Sequence, residues 1–365
     1  MIVAHDLLKC FERNSIDKRL LLEELSSSKL PLLIYGAGGY AKTLNIFLNE
    51  HNINISGVIV DKQYYFLPNK EWEVVYSFDE IDTKFDAYNI VIGFTDYLVA
   101  ENNIIELKKK NKVYFLDTTL SVEFLDYKFI EDNLDAFYFS YQLLNDDVSK
   151  ETFVGYLNGK LTLRCDGIYG LINKEQYFVK DIINLSENEV FIDAGAYNGD
   201  TLLKFINSVN GKYKEIICFE PDSNSYSKLT NRVKGDNIRN VRTINKGVWS
   251  GKKALRFNSN DCNAERSYLS ESLGEIEVQC DSIDNVLNGQ EATFIKMDIE
   301  GAEMEALKGA EETIKKYKPK LAICAYHKPT DLILIPQYIK LLNPDYKFYL
   351  RQHLHITQEL VLYAI

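Results

Sequence analysis

The chain is predicted to fold as two α/β units in tandem, each a mostly parallel, doubly wound sheet with helices on both faces. Two observations carry this. A buried strand, a glycine turn, a helix, a second strand and a closing acid occur over residues 32–61 and again over 189–220. Further apolar runs then alternate with helical patterns. One of them, Phe294 to Met297, ends in Asp298-Ile299-Glu300-Gly301-Ala302-Glu303 before a helix. Acids at the carboxyl end of a parallel strand stand where open α/β sheets bind ligands.

Composition narrows the class. Of 365 residues, 46% are hydrophobic and 26% charged, the balance of a soluble globular protein, and the length suits two or three domains. The formal net charge is −11 and no strongly basic block occurs, which disfavours nucleic acid as a partner. Met1 to Cys10 lacks the basic-then-apolar-then-small pattern of a signal peptide. No apolar run approaches the roughly 20 residues of a membrane helix. A cytoplasmic location without membrane insertion is expected. The six cysteines, Cys10, Cys165, Cys218, Cys262, Cys280 and Cys324, form no CxxC pair. Cys218 and Cys324 lie inside apolar strand-like runs, so small buried thiols in a reducing compartment are expected rather than zinc ligands or redox pairs.

The elements follow in order. Leu7, Leu8, Phe11 and Leu20 to Leu25 are the apolar positions of a helix over 5–29, which Lys29-Leu30-Pro31 breaks. Leu32 to Tyr35 reads as a short buried strand, Gly36 to Ala41 as a glycine turn, and Lys42 to Glu50 as a helix. A second strand, Ile55 to Val60, ends at Asp61. This fits the dinucleotide fingerprint G-x-G-x-x-A with an acid about 20 residues on. Gly36, Gly38 and Gly39 would let the backbone approach a pyrophosphate at the helix N-terminus, and Asp61 would accept from a ribose hydroxyl. Strands at Tyr88 to Ile92 and Val113 to Leu116 complete a Rossmann-like domain, assigned to residues 1–120. This domain resembles the N-terminal domain of bacterial sugar acyltransferases that hold a nucleotide-linked sugar. Three roles stay open for it: a nucleotide or nucleotide-sugar site, a nicotinamide site, and a scaffold that would make the chain a homo-oligomer.

Residues 121–186 form a connection rich in aromatics, among them Phe124, Tyr127, Phe137, Phe153 and Tyr156. Their spacing across 128–157 predicts packed helices rather than an aromatic ligand cage. Residues 187–365 hold the second unit. Glu189 to Asp193 is a strand, and Ala194 to Thr201 a turn into a helix that runs to about Val209. Glu215 to Phe219 is the second strand, closed by Glu220-Pro221-Asp222, with a helix over Ser225 to Lys234. Val241 to Ile244, Phe294 to Met297 and Leu321 to Cys324 are the next strands, and Tyr346 to Leu350 with Glu359 to Tyr363 a terminal strand pair.

The second glycine turn has a chemical reading. Asp193 and Gly195 shape it, and Gly195 and Gly199 allow close backbone approach to a ligand. Glu220 can hold two ribose hydroxyls with its two oxygens. The loop has no Walker lysine-serine, so triphosphate hydrolysis is disfavoured. A ribose-binding acid beside a loop built for an uncharged or zwitterionic tail suggests S-adenosylmethionine as cofactor.

Phe191-Ile192-Asp193-Ala194-Gly195-Ala196-Tyr197-Asn198-Gly199-Asp200-Thr201, Phe219-Glu220-Pro221-Asp222, Asn245-Lys246-Gly247-Val248, Asp281-Ser282-Ile283-Asp284, Tyr326-His327-Lys328-Pro329 and Leu350-Arg351-Gln352-His353 carry a resemblance. Its most specific string is Lys296-Met297-Asp298-Ile299-Glu300-Gly301-Ala302-Glu303. Together they resemble the FkbM family of S-adenosylmethionine-dependent methyltransferases, over roughly residues 150–365. Tyr197 departs from the broader methyltransferase pattern, where many classes carry a second glycine. The resemblance implies a class I methyltransferase fold for this half and methyl transfer to an oxygen, on a sugar or a polyketide-like small molecule. A sugar hydroxyl is the expected acceptor, free or nucleotide-linked, in bacterial surface-glycan biosynthesis.

Roles follow. Asp193, Gly195, Tyr197, Gly199, Thr201, Glu220, Asn245, Gly247, Asp281 and Asp298 are the expected cofactor contacts. His327 is the expected general base, since histidine titrates near neutrality, with Asp298 and Glu300 beside it. Glu300, Arg351 and His353 are expected on the acceptor. Glu303 is better read as a charge at a helix start. Asp298, Glu300 and His327 could ligate a metal, but the resemblance implies none. The alternative function is an NAD-dependent oxidoreductase working through the first glycine turn, and a non-catalytic assembly module is a third.

Overall fold

Leu32–Tyr35 has four buried side chains in a row, the pattern of a strand covered on both faces. In the computed structural model it is β1, at the centre of a five-stranded sheet. With it stand β2 (Gly57–Val60), β3 (Val75–Ser77), β4 (Asn89–Ile92) and β5 (Lys112–Tyr114), in the order β3-β2-β1-β4-β5 and parallel throughout. The structure describes residues 4–9, 11, 18–66, 71–118, 125–258, 268–270 and 276–365. Cys10, Phe124 and Cys262 fall outside these. The chain divides into two units: Met1–Tyr138 with Glu151–Ile172 and Leu354–Gln358, and Phe139–Lys150 with Asn173–His353 and Glu359–Ile365.

In the first unit, Ile34, Val58 and Val91 pack with Leu44, Phe47 and Leu48 of the helix Gly39–Glu50. Leu33, Ile59 and Ile90 pack with Ile104 and Leu107 of the helix Glu101–Lys110. The sheet is thus covered on both faces, as doubly wound sheets are. The expected helix over 5–29 is seen in two described pieces, Ala4–Lys9 and Lys18–Ser27. Strand β3 was not anticipated: three residues at a sheet edge leave too short a pattern to separate from a loop. Helices Tyr127–Asp132, Leu134–Leu143 and Asp147–Thr162 occupy the aromatic-rich stretch.

The second unit is built on seven strands. These are β6 (Val190–Ala194), β7 (Glu215–Phe219), β8 (Val241–Ile244), β13 (Phe294–Met297), β14 (Lys320–Cys324), β15 (Phe348–Gln352) and β16 (Leu360–Ala364). Their order is β15-β16-β14-β13-β6-β7-β8, and β16 alone runs antiparallel to its neighbours. The chain reverses direction across the sheet between β6 and β13, which opens a crevice at their carboxyl ends. Phe191, Phe205 and Phe294 anchor the core, with Phe191 stacked on Phe205 at 4.4 Å between ring centroids.

A separate four-stranded sheet was not foreseen: β9 (Gly247–Val248), β10 (Lys253–Asn258), β11 (Tyr268–Ser270) and β12 (Ile276–Asp281), in the order β11-β10-β12-β9. The alternation of Ile276, Val278 and Cys280 with polar residues is the period-2 signal that could have found it. Cys165, Cys218, Cys280 and Cys324 are buried free thiols. Among the described residues no helix is long and apolar enough to cross a membrane.

Candidate active site

Four neighbouring strands end level with one another: Ala194 pairs with Phe219 on one side and with Met297 on the other, and Met297 pairs with Ile323. The loops after β6, β7, β13 and β14 therefore converge. Gly195, the first residue past β6, has φ +82, and a Cβ there would run into the backbone carbonyl of Asp298. The loop after β6 and the loop after β13 touch through backbone alone, and only glycine permits it. The amides of Gly195 and Ala196 both donate to the Phe219 carbonyl, which ties the turn to β7. Gly199 ends the turn as the N-cap of the helix Asp200–Ser208, whose first turn holds the buried Thr201.

Glu220 closes this half. One carboxylate oxygen accepts from the Tyr197 amide at 2.7 Å and the other from the Asp222 amide at 2.8 Å. Burial pushes its carboxyl up to about 7, against the pull of those amides. A carboxylate has about four acceptor positions, so two remain for a diol. Tyr197 sits at φ +46 beside this acid, 54% exposed as a residue. Asn245 Nδ2 donates to the backbone carbonyls of Glu220 and Pro221, at 2.8 and 3.2 Å, so it braces the loop that carries the acid. Gly247 pairs with Cys280 as part of β9. The Asp281 carboxylate takes Lys246 Nζ at 2.8 Å, the Ser282 amide at 3.0 Å and Asn285 at 3.2 Å.

Asp193 needs a correction. Its side chain is fully buried, and Lys296 Nζ lies 3.1 Å from Oδ1. The same ammonium donates to the Gly195 carbonyl at 2.7 Å and the Ala194 carbonyl at 3.3 Å. Asp193 thus acts through Lys296, which grips the turn from beneath. Burial works against the Lys296 charge, but Asp193 and Asp298 outweigh it and hold the ammonium well above its ordinary range. The sequence reading missed this lysine's role, although a charge inside the apolar run Phe294 to Met297 was the signal.

The other half gathers around His327. Asp298 Oδ2 accepts from Tyr177 Oη at 2.8 Å, and Oδ1 lies 3.4 Å from Tyr326 Oη. Glu300 and Gly301 are both left-handed, at φ +55 and +90, and the Glu300 side chain is 43% exposed. His327, with a side chain 9% exposed, has Nε2 3.6 Å from Asp298 Oδ1 and 3.5 Å from Glu300 Oε2. Its Nδ1 is 3.0 Å from Glu303 Oε1, though without hydrogen-bond alignment. Glu303 begins the helix Glu303–Lys308 as expected, but its carboxylate also accepts from the Ile299 amide at 2.9 Å and faces the histidine. Burial alone would lower the His327 pKa; Glu303, Asp298 and Glu300 together push it up to about 10. With nothing bound between these acids, the shift favours the protonated ring. Burial first, then Asp298 and Glu303, push Glu300 up to about 7 despite His327.

Glu359 joins the cluster unannounced, its carboxylate within 4.8 Å of those of Asp298 and of the Cys324 sulfur. Arg351 and His353 do not join it. Arg351 is buried against Asp146, with N–O distances of 2.6 and 3.2 Å, and against Ser149 Oγ at 2.8 Å. His353 spends Nδ1 on the Asn173 carbonyl at 2.6 Å and Nε2 on Tyr363 Oη at 2.9 Å. Burial pushes it down to about 4, so it stays neutral and structural. In the first unit, Gly36 has φ +118 and Gly38 and Gly39 face open space at the start of the helix Gly39–Glu50. Asp61 accepts from Tyr35 Oη at 2.5 Å and Asn103 Nδ2 at 2.9 Å. Both bonds fall on Oδ1 of the residue expected to meet a ribose.

The sequence profile of the methyltransferase FkbM domain matches residues 193–360. The crystal structure of the methyltransferase FkbM from Methylobacillus flagellatus KT superposes with a TM-score of 0.71 at 23% identity, over 99% of this chain and 98% of that one, and so shares its fold. An rRNA methylase from Streptococcus thermophilus matches with a TM-score of 0.33 at 16% identity, over 49% of this chain and 87% of that one. Aeropyrum pernix fibrillarin in complex with natively bound S-adenosyl-L-methionine matches with a TM-score of 0.33 at 10% identity, over 52% and 72%. No curated protein matches the chain. Nothing among these similarities supports the oxidoreductase reading. Residues 193–360 are thus similar to a methyltransferase FkbM domain, within a chain that shares the fold of such a protein over nearly its whole length.

Proposed function

We propose that the chain transfers the methyl group of S-adenosylmethionine to a hydroxyl of a sugar or sugar-derived small molecule. The observation that carries this is the paired arrangement at one sheet edge. The Gly195–Gly199 turn with Glu220 stands on one side, and the Asp298, Glu300 and His327 cluster on the other. Glu220 suits the ribose diol of the cofactor, with two acceptor positions beyond its amide bonds. The sulfonium is already a strong electrophile, so the protein's task is alignment of acceptor oxygen, methyl and sulfur.

A set of carboxylates and an imidazole ring offers many hydrogen bonds to a polyol. It suits neutral hydroxyls and repels anionic groups placed against the acids. In the transfer the O–C bond forms as the S–C bond breaks, the sulfonium becomes the neutral thioether of S-adenosylhomocysteine, and the hydroxyl proton passes to a carboxylate. Glu300 is the acid placed for this. It is half-exposed, and its pKa near 7 matches a base working at neutral pH. The likeness of the first unit's glycine turn to nucleotide-sugar domains supports a nucleotide-linked sugar, on a route to a surface glycan, as the acceptor to try first.

Calorimetry with S-adenosylmethionine tests the cofactor. Binding is expected, and Glu220→Ala should weaken it by about two orders of magnitude, the loss of two charge-assisted hydrogen bonds. Absence of binding at millimolar cofactor, or unchanged binding in the variant, refutes the reading. Mass spectrometry of a nucleotide-sugar panel incubated with cofactor then reads the acceptor.

A further inference from the structure

Asp298, Glu300 and His327 present one carboxylate oxygen each and one imidazole nitrogen within 4.8 Å of one another. Acids gathered in a cleft are not by themselves a site. What singles out this set is the histidine. Its side chain is nine-tenths buried, and Nε2 makes no hydrogen bond although it points between two carboxylates. The separations, 3.6 Å to Asp298 Oδ1 and 3.5 Å to Glu300 Oε2, are too long for hydrogen bonds. They are close to the spacing of ligands around a metal. Donors about 2.1 Å from a cation at tetrahedral angles stand roughly 3.4 Å from each other.

The surroundings complete the pattern. Metal-bound histidines usually present their other ring nitrogen to a carboxylate, and ligating carboxylates are themselves hydrogen-bonded. Here His327 Nδ1 lies 3.0 Å from Glu303 Oε1, and Glu303 is held by the Ile299 amide. Tyr177 Oη holds Asp298 Oδ2 at 2.8 Å and Tyr326 Oη donates to Oδ1 at 3.4 Å, so the carboxylate that faces the histidine is held by two hydroxyls. A competing set, Glu303, His327 and Asp331, is less apt, because Glu303 and Asp331 are buried and leave no open position for an acceptor, whereas Glu300 is half-exposed.

We propose that Asp298, Glu300 and His327 bind one divalent transition-metal cation, with open positions turned to the acceptor. Two carboxylates and one imidazole suit Mn2+ or Zn2+ better than a thiolate-seeking ion. This departs from the sequence expectation of no metal. The binding of the cation stands on the geometry alone; what it holds, adjacent hydroxyls of the acceptor, rests on the methyl-transfer reading. Glu300 would ligate through Oε2 and keep Oε1 for the hydroxyl proton.

Protein stripped with chelator and titrated with MnCl2, with free Mn2+ read by its paramagnetic resonance signal, provides the test. One Mn2+ per chain is expected, with affinity reduced at least tenfold in Glu300→Gln and in His327→Ala. Glu300 is half-exposed, so its variant is the one expected to fold unchanged. Visible absorption of the Co2+-loaded wild type is a second measure that needs no variant: an intense band of low-coordinate, nitrogen-bound cobalt is expected. No saturable Mn2+ binding, or equal affinity in wild type and Glu300→Gln, overturns the inference. Glu220→Ala should lose cofactor and keep Mn2+. Cofactor binding without Mn2+ binding therefore sinks the cation site alone, and the reverse result sinks the cofactor reading alone.

Discussion

A lysine ammonium in the middle of a sheet is costly to bury, and Lys296 survives there because each of its neighbours is an acceptor. Asp193 neutralises it at 3.1 Å, and the carbonyls of Ala194 and Gly195 accept its hydrogen bonds. Removing one member of a buried pair strands the other charge. Lys296→Met is expected to destabilise the fold by about 3–5 kcal/mol, measured by urea unfolding. The double variant Lys296→Met with Asp193→Asn should recover a large part of that loss, since it leaves no uncompensated charge. Equal losses in single and double variants would mean the pair is not coupled. This residue pair also marks a boundary of what sequence can reveal. Asp193 was legible as important from its place at a strand end, but its role was not. Whether such an acid faces the ligand or the lysine two strand positions before Asp298 depends on the pairing of β6 with β13.

At the scale of elements, the loops after β6 and β13 meet closely at Gly195. Gly195→Ala would combine a φ of +82 with a collision against the Asp298 carbonyl. A loss of about 3 kcal/mol or more is expected in thermal or urea unfolding, together with weaker cofactor binding. Strands β6, β7, β13 and β14 were legible because each is a continuous buried run closed by a polar turn. That the acids behind them converge followed from the strand–helix alternation. Strand β3 is too short to be legible, and the sheet of β9 to β12 lacks such runs and offers only the period-2 alternation of β12. Glu359 was missed for a topological reason. An antiparallel strand begins at the edge where parallel strands end, so the residue before β16 arrives beside Asp298. Arg351 and His353 were placed at the right edge of the sheet, but Asp146, Ser149, Asn173 and Tyr363 claim their side chains.

At the scale of the whole molecule, each unit has its own core, one around Phe191, Phe205 and Phe294 and the other around β1 and its flanking helices. A ligand held by Glu220 binds only the folded second unit. S-adenosylhomocysteine at 100 times its dissociation constant should therefore stabilise that unit by about 2.7 kcal/mol. Scanning calorimetry checks this. A transition assigned to the second unit should move up with ligand, and no shift would argue against a cofactor site there. The left-handed backbone at Glu300 bears on the molecule's history under selection. A non-glycine residue at φ +55 costs about 1 kcal/mol that asparagine or glycine would largely avoid. Selection for thermal tolerance alone would drift toward those residues at this one position. If Glu300 takes the proton as proposed, a variant bred for hardiness without an assay of turnover would be sturdier and idle.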